Sequence, residues 1–188
     1  YDVVELTNLQ RQVAHSQSMI GEPKVVSAQQ TLLGLNPDLK ITALQKRLEG
    51  ANLSEAVSQA DLVVDACDNY TTRFAINSAC IEHGKPLVSG AAIRMEGQVA
   101  VFDSRSPISP CYQCLYSQGG DEDASCSENG VMAPLVGIIG AVQAMEAIKL
   151  LAGIGESLTG RLLFLDASSL QWREMRLPRD SNCASCGS

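Results

Sequence analysis

Two Cys-x-x-Cys pairs, far apart in the chain, constrain this sequence more than any other feature. Cys111-Tyr-Gln-Cys114 lies in a stretch rich in Ser, Pro, Gly and Asp, and Cys183-Ala-Ser-Cys186 lies in the tail. Two such turns can set four thiolates in a tetrahedron around zinc, each about 2.3 Å from the metal. One pair alone reads equally well as a redox dithiol. Two pairs, both in loops, favour one zinc ion held by Cys111, Cys114, Cys183 and Cys186. Such a site has four protein ligands and no open position, so it braces the insertion against the tail and takes no part in chemistry. Seven cysteines, with no secretory signal in the residues given, are read as belonging to a reducing, cytoplasmic compartment.

The 188 residues suffice for one α/β domain with a real core. The chain opens on Tyr1, and Tyr-Asp-Val-Val-Glu-Leu reads as the end of a strand, so we take it as beginning inside a fold. Lysines and arginines number 14 against 21 acidic residues, a net charge of −7. That balance argues against a nucleic-acid partner. The longest apolar stretch, residues 131–152, carries Gln143, Glu146 and Lys149 on one helical stripe. A buried or interface helix fits it better than a membrane span.

Periodicity sketches the rest. Gly21-Glu-Pro-Lys24 opens a short helix over 23–35, with Pro23 suited to its first turn and Asn36-Pro37 ending it. Residues 40–45 alternate like a strand. Residues 60–66 form a short apolar run suited to a buried parallel strand. A helix over about 70–83 follows, then a buried strand at 86–90 and an alternating one at 96–102. Strand, helix, strand, helix, strand implies a doubly wound α/β sheet. Residues 103–130 form a long irregular insertion, after which comes the apolar helix. Residues 161–167 and 171–177 are expected to pair as closing antiparallel strands.

Several side chains are candidates for chemistry. Asp68 and Asn69 follow a buried strand at the sheet edge where ligands of doubly wound sheets bind. A carboxylate there can hold Mg²⁺, and both residues are also good helix caps. Thr7, Asn8, Leu9, Gln10 and Arg11 place polar groups and a guanidinium after the first strand, either clamping phosphate or sitting in solvent. Lys24 at a helix start opposes the helix dipole unless an anion lies nearby. Cys126, in the insertion and outside the pairs, is a candidate nucleophile whose acidic neighbours would raise its pKa. Cys67 and Cys80 read as core residues.

In order, the segments LTNLQRQ, GEPK, DLVVDACDNYTTRFAIN, PLVSGAAIRMEGQV, CYQC, CSENGVMAPLVGIIGAVQAMEAIKLL and CASC resemble the MoeB/ThiF/HesA family over nearly the whole chain. That resemblance implies a Rossmann-like, mostly parallel sheet with a C-terminal antiparallel part and a zinc-knuckle insertion. It makes residues 1–188 a single adenylation domain whose first βαβ unit, with its Gly-rich turn and acidic ribose ligand, precedes Tyr1. The tail at 178–188 belongs to the zinc site.

The resemblance also implies an adenylyltransferase. ATP and Mg²⁺ are bound, and the C-terminal carboxylate of a small ubiquitin-fold sulfur carrier ending in Gly-Gly attacks the α-phosphate, giving an acyl-adenylate and releasing pyrophosphate. Sulfur then displaces AMP, with a sulfurtransferase or cysteine desulfurase as source. Asn8, Gln10 and Arg11 match positions that contact ATP, with Thr7 and Leu9 beside them. Lys24 matches the phosphate-binding lysine. Asp68 matches the aspartate that supports Mg²⁺, with Asn69 next to it, and the four paired cysteines match the zinc ligands. Cys126 matches a position that some members use for sulfur relay and adenylation does not need.

The segment SGAAIRMEGQV is closer to the molybdopterin branch than to the thiamine branch. Small residues at 137, 140 and 144 suit close helix packing in a two-fold homodimer. Two readings from other classes stand beside this one. A nicotinamide oxidoreductase can share the sheet, but the NLQRQ, GEPK and zinc-knuckle motifs have no role in hydride transfer. A non-catalytic scaffold would keep only the carrier-binding surface.

Overall fold

The computed structural model describes residues 2–116 and 130–187. The chain divides into two compact units, Tyr1–Leu48 and Glu49–Ser188.

In the first unit the expected opening strand is reduced to a single bridge between Val3 and Pro23. Val4 carries that bridge onward, donating to Glu22 O and accepting from Gly21 N, both at 2.9 Å. A short 3-10 turn, Leu6–Asn8, follows where strand was expected to end. Helix α1 spans Lys24–Leu35 and stops at Asn36, as the following proline requires. Residues 40–45 form no ladder. Alternation sets only which way side chains point; a strand also needs a hydrogen-bonded neighbour. Here the Gln29 side chain takes the Ile41 carbonyl at 3.0 Å instead.

The second unit is built on a five-stranded sheet in the order β1-β2-β3-β4-β5. The strands are β1 (Val63–Asp65), β2 (Leu87–Ile93), β3 (Glu96–Phe102), β4 (Arg161–Asp166) and β5 (Gln171–Arg176). β1 and β2 run parallel, and the following pairs are antiparallel. This is an α/β sheet with a parallel start and an antiparallel C-terminal part, as expected. β2 extends past the predicted Gly90 because β3 returns along it through a two-residue turn. The first turn residue, Arg94, is left-handed (φ 51°), which suits a tight hairpin. The turn is tied to the start of the apolar helix, where Arg94 N meets Gly130 O and Met132 N meets Arg94 O, both at 2.9 Å.

Four helices belong to this unit among the described residues: α2 (Gly50–Ser58), α3 (Tyr70–Glu82), α4 (Tyr112–Leu115) and α5 (Ala133–Ala152). α2 is absent from the periodicity reading, although Leu53 and Val57 lie one helical turn apart.

Strand alternation sorts the core onto two faces. Leu87, Ala100, Phe102 and Leu162 meet α2, α3 and α4 through Val57, Ile76, Cys80 and Tyr112. Val88, Val99, Val101 and Leu165 meet α5 through Leu135 and Ile139. Helices therefore cover both faces, the doubly wound arrangement. Each Val, Leu, Ile or Phe among them contributes roughly 1.5–3 kcal/mol on burial. α5 comes close to the sheet because β3 offers a glycine beneath it. A Cβ at Gly97 would lie 2.6 Å from Ile139 Cδ1. Although α5 is long and apolar enough to cross a membrane by composition, it lays Leu135, Ile139, Gln143 and Glu146 on the sheet as a buried stripe.

Candidate functional site

The four paired cysteines come together. Cys111 is the N-cap of α4, and Cys114 lies in its single turn. The tail folds back so that Cys183 Sγ lies 3.6 Å from Cys111 Sγ, and Cys186 Sγ lies 3.4 Å from Cys114 Sγ. Within the first pair the separation is 3.9 Å, and all four sulfurs fall within 4.8 Å of one another. A tetrahedron with 2.3 Å metal–sulfur bonds has edges of about 3.8 Å, so the donor set fits zinc in both chemistry and spacing. Burial pushes the Cys183 thiol up, but the backbone N–H groups of Ser185 and Cys186 and the neighbouring thiols outweigh it and bring it down to about 7. The tail is further held by Arg179, whose guanidinium donates to Cys186 O at 2.6 Å, and by a Ser185–Gln113 side-chain bond.

The second constellation lies at the C-terminal end of β1. Asp65 is buried and accepts from Cys67 N at 2.8 Å and from Ser89 Oγ at 2.9 Å. It also pairs with the buried Arg73 at 3.1 Å. Asn69 is the N-cap of α3, its Oδ1 accepting from Thr72 N at 2.8 Å. Asp68 is exposed, and its carboxylate accepts from Asn69 Nδ2 at 3.3 Å. The two candidate residues thus divide: Asn69 caps the helix, and Asp68 faces solvent. Burial and the adjacent Asp65 push the Cys67 thiol up to about 12, and burial does the same to Cys80. Both stay protonated at neutral pH, as expected of core cysteines.

In the first unit, Asn8 is buried and its Oδ1 accepts from Glu5 N at 3.2 Å, so it holds the 3-10 turn together. Thr7 Oγ1 reaches Glu5, and Arg11 Nη1 donates back to Thr7 O at 3.0 Å. Leu9 is half-buried and Gln10 exposed. Lys24 opens α1, and the anion its position calls for is present as Asp2, with Nζ–Oδ2 at 2.5 Å. That ammonium holds the Asp2 carboxyl below the usual carboxylate range. Cys126 lies outside the described residues.

Sequence reasoning passed over Arg73 and noted Gln143 only as one of a stripe. Each carried a signal. Arg73 shares the buried face of α3 with Ile76 and Cys80 at helical spacing, and Gln143 interrupts the apolar face of α5 that lies on the sheet.

The chain is 47% identical over 187 residues to the molybdopterin-synthase adenylyltransferase of Escherichia coli (strain K12), covering 100% of this chain and 75% of that protein. It is 44% identical to the sulfur carrier protein ThiS adenylyltransferase of the same organism, covering 99% and 73%. Among solved structures, E. coli MccB with ATP superposes with a TM-score of 0.84 at 19% identity. The match covers the whole of this chain but 58% of that one, and at that identity the likeness shows the fold alone. The mixed α/β sheet, the four-cysteine cluster and the two adenylyltransferase relatives define the class: an enzyme of the adenylyltransferase type. The ThiF family model matches residues 1–185, and the chain belongs to the ThiF family.

Proposed function

We propose that this protein adenylates the C-terminal glycine carboxylate of a small ubiquitin-like sulfur carrier of the molybdopterin-synthase type, ready for thiocarboxylate formation. The observation that carries this reading is 47% identity across the chain to a protein named molybdopterin-synthase adenylyltransferase. The family model runs through both compact units, and we read them as one adenylation domain.

Arg11 and Lys24 are assigned to the phosphates of ATP. Thr7, Asn8, Leu9 and Gln10 are assigned to the rest of the nucleotide contact. Asp68, with Asn69 beside it, is assigned to Mg²⁺, which when bound neutralises charge on the phosphate oxygens. Lys24 would exchange Asp2 for phosphate, two anions of similar demand on an ammonium at a helix start. The attacking carboxylate is ionised at pH 7, so the reaction requires positioning and electrostatic clamping more than a general base. Both histidines are engaged structurally, His15 Nδ1 with Ser27 Oγ at 2.9 Å and His83 Nε2 with Ser54 Oγ at 2.7 Å.

The four thiolates hold zinc as a structural clasp between the insertion and the tail. Free thiols fit a reducing cytoplasm. A sulfurtransferase or cysteine desulfurase supplies the sulfur, and Cys126 is kept for relay in that later step. The protein works as a homodimer.

The test is ATP–pyrophosphate exchange by the full-length protein with ATP, Mg²⁺ and purified carriers ending in Gly-Gly. Exchange with the molybdopterin-pathway carrier is expected, and Cys126→Ala should leave it intact. Exchange only with the thiamine-pathway carrier would move the partner to that branch, which the 44% identity to the ThiS adenylyltransferase keeps in view. No exchange with any carrier would overturn adenylation and leave the scaffold reading.

A further inference from the structure

The end of β1 is gripped from both faces of the sheet by polar side chains that carry no role in the reaction as assigned. On the α3 face Arg73 donates to Ser89 Oγ at 3.1 Å, to Gly90 O at 2.9 Å and to Cys67 O, and it pairs with the Asp65 carboxylate. On the α5 face Gln143 Nε2 donates to Asp65 O at 2.7 Å and to Val88 O at 3.3 Å. Both side chains are deeply buried, Arg73 at 7% and Gln143 at 5% exposure. Room for the Gln143 amide comes from β2, where a Cβ at Gly90 would lie 2.3 Å from Gln143 Cδ.

Stability alone does not call for this arrangement. A buried charge pair is often no better than apolar residues of similar volume. What the two side chains hold is specific: the carbonyls of Asp65 and Cys67, which open the four-residue turn from β1 to α3. Asp68 stands in that turn, exposed, one residue beyond Cys67. The Asp68 backbone is thus joined directly to a carbonyl that Arg73 holds.

We propose that Gln143 and Arg73 are positioning residues, which clamp the β1–α3 turn from opposite faces so that Asp68 presents its carboxylate in a fixed place to the metal–nucleotide. The proposal rests on the adenylation reading above. Displacement of about 1 Å at a reacting site can cost on the order of a hundredfold in rate.

Three variants of the full-length protein test it: Gln143→Leu, which keeps shape and removes the donor; Gly90→Ala, which leaves Gln143 intact and fills its space; and Arg73→Lys, which keeps charge and loses the fork. Exchange is measured across Mg²⁺ concentrations, with far-UV circular dichroism and thermal unfolding as checks of fold. Each folded variant is expected to lose about ten- to a hundredfold in kcat and to need more Mg²⁺ for half-maximal rate, with the carrier KM unchanged. If Gln143→Leu or Gly90→Ala unfolds at assay temperature, Arg73→Lys decides by the same readout. Folded variants with wild-type Mg²⁺ dependence overturn the positioning proposal alone. A wild-type protein that exchanges with no carrier overturns the adenylation reading and this proposal together.

Discussion

Asn69 accepts from Thr72 N at the start of α3, and this bond is separable from any contact with nucleotide. Removing an N-cap side chain costs about 1 kcal/mol. Asn69→Ala is therefore expected to lower stability by that amount in urea titrations without ATP, before any effect on exchange. Asp103 allows a different test at this scale. Its carboxylate takes Arg105 Nε and Nη2, each at 2.8 Å, and Arg105 N at 3.1 Å. The Arg105 side-chain bonds, against a smaller opposing effect of burial, hold it below its ordinary value of 3.8. A carboxyl depressed in the folded state stabilises above its unfolded pKa and loses that contribution as pH falls through the folded one. Asp103→Asn should thus be less stable than wild type at pH 7, with the gap closing as pH drops below about 4. Urea midpoints at successive pH values check the sign.

Among the elements, the C-terminal half of α5 reverses the usual amphipathic order. Its sheet-facing stripe includes Gln143 and Glu146, while Met145, Ile148 and Leu151 are exposed. Glu146 is not idle, since Leu158 N donates to it at 2.8 Å and Lys149 pairs with it, fixing the approach to β4. The four-cysteine cluster acts on elements too, joining α4 to the tail. Cys183→Ser, or a strong chelator on wild type, should abolish the zinc content proposed for this site, as read by atomic absorption. It should also lower Tm on the order of 5–10 °C, since each kcal/mol moves Tm by about 2–4 °C in a chain of this size. Unchanged zinc content in the variant would contradict the four-thiolate site.

For the molecule as a whole, the exposed face of α5 bears on assembly. Met145, Ile148 and Leu151 are 57%, 58% and 59% exposed, a contiguous apolar row at helical spacing that the proposed homodimer would cover. Ile148→Glu should convert the dimer to a monomer, with sedimentation equilibrium returning half the wild-type mass. If wild type is already monomeric, the homodimer is wrong.

Much of this protein was legible from its residues alone. The cysteine spacing specified a four-thiolate site, because two short turns can be recognised without knowing what joins them. Pro23 and Asn36-Pro37 marked the ends of α1, and Asn69 the start of α3, because caps and breakers act within a few residues. The apolar runs marked β1 and β2 but not their lengths, which depend on how far a neighbour strand follows. For the same reason residues 40–45 alternate yet form no ladder. The grip of Arg73 and Gln143 on the end of β1 was decided only by tertiary structure. Periodicity says which face a side chain takes. It does not say that the carbonyl of Asp65 will lie across from Gln143, 78 residues later in the chain. A buried donor is satisfied by whatever acceptor packing brings to it, and that acceptor is chosen by the stacking of helix on sheet.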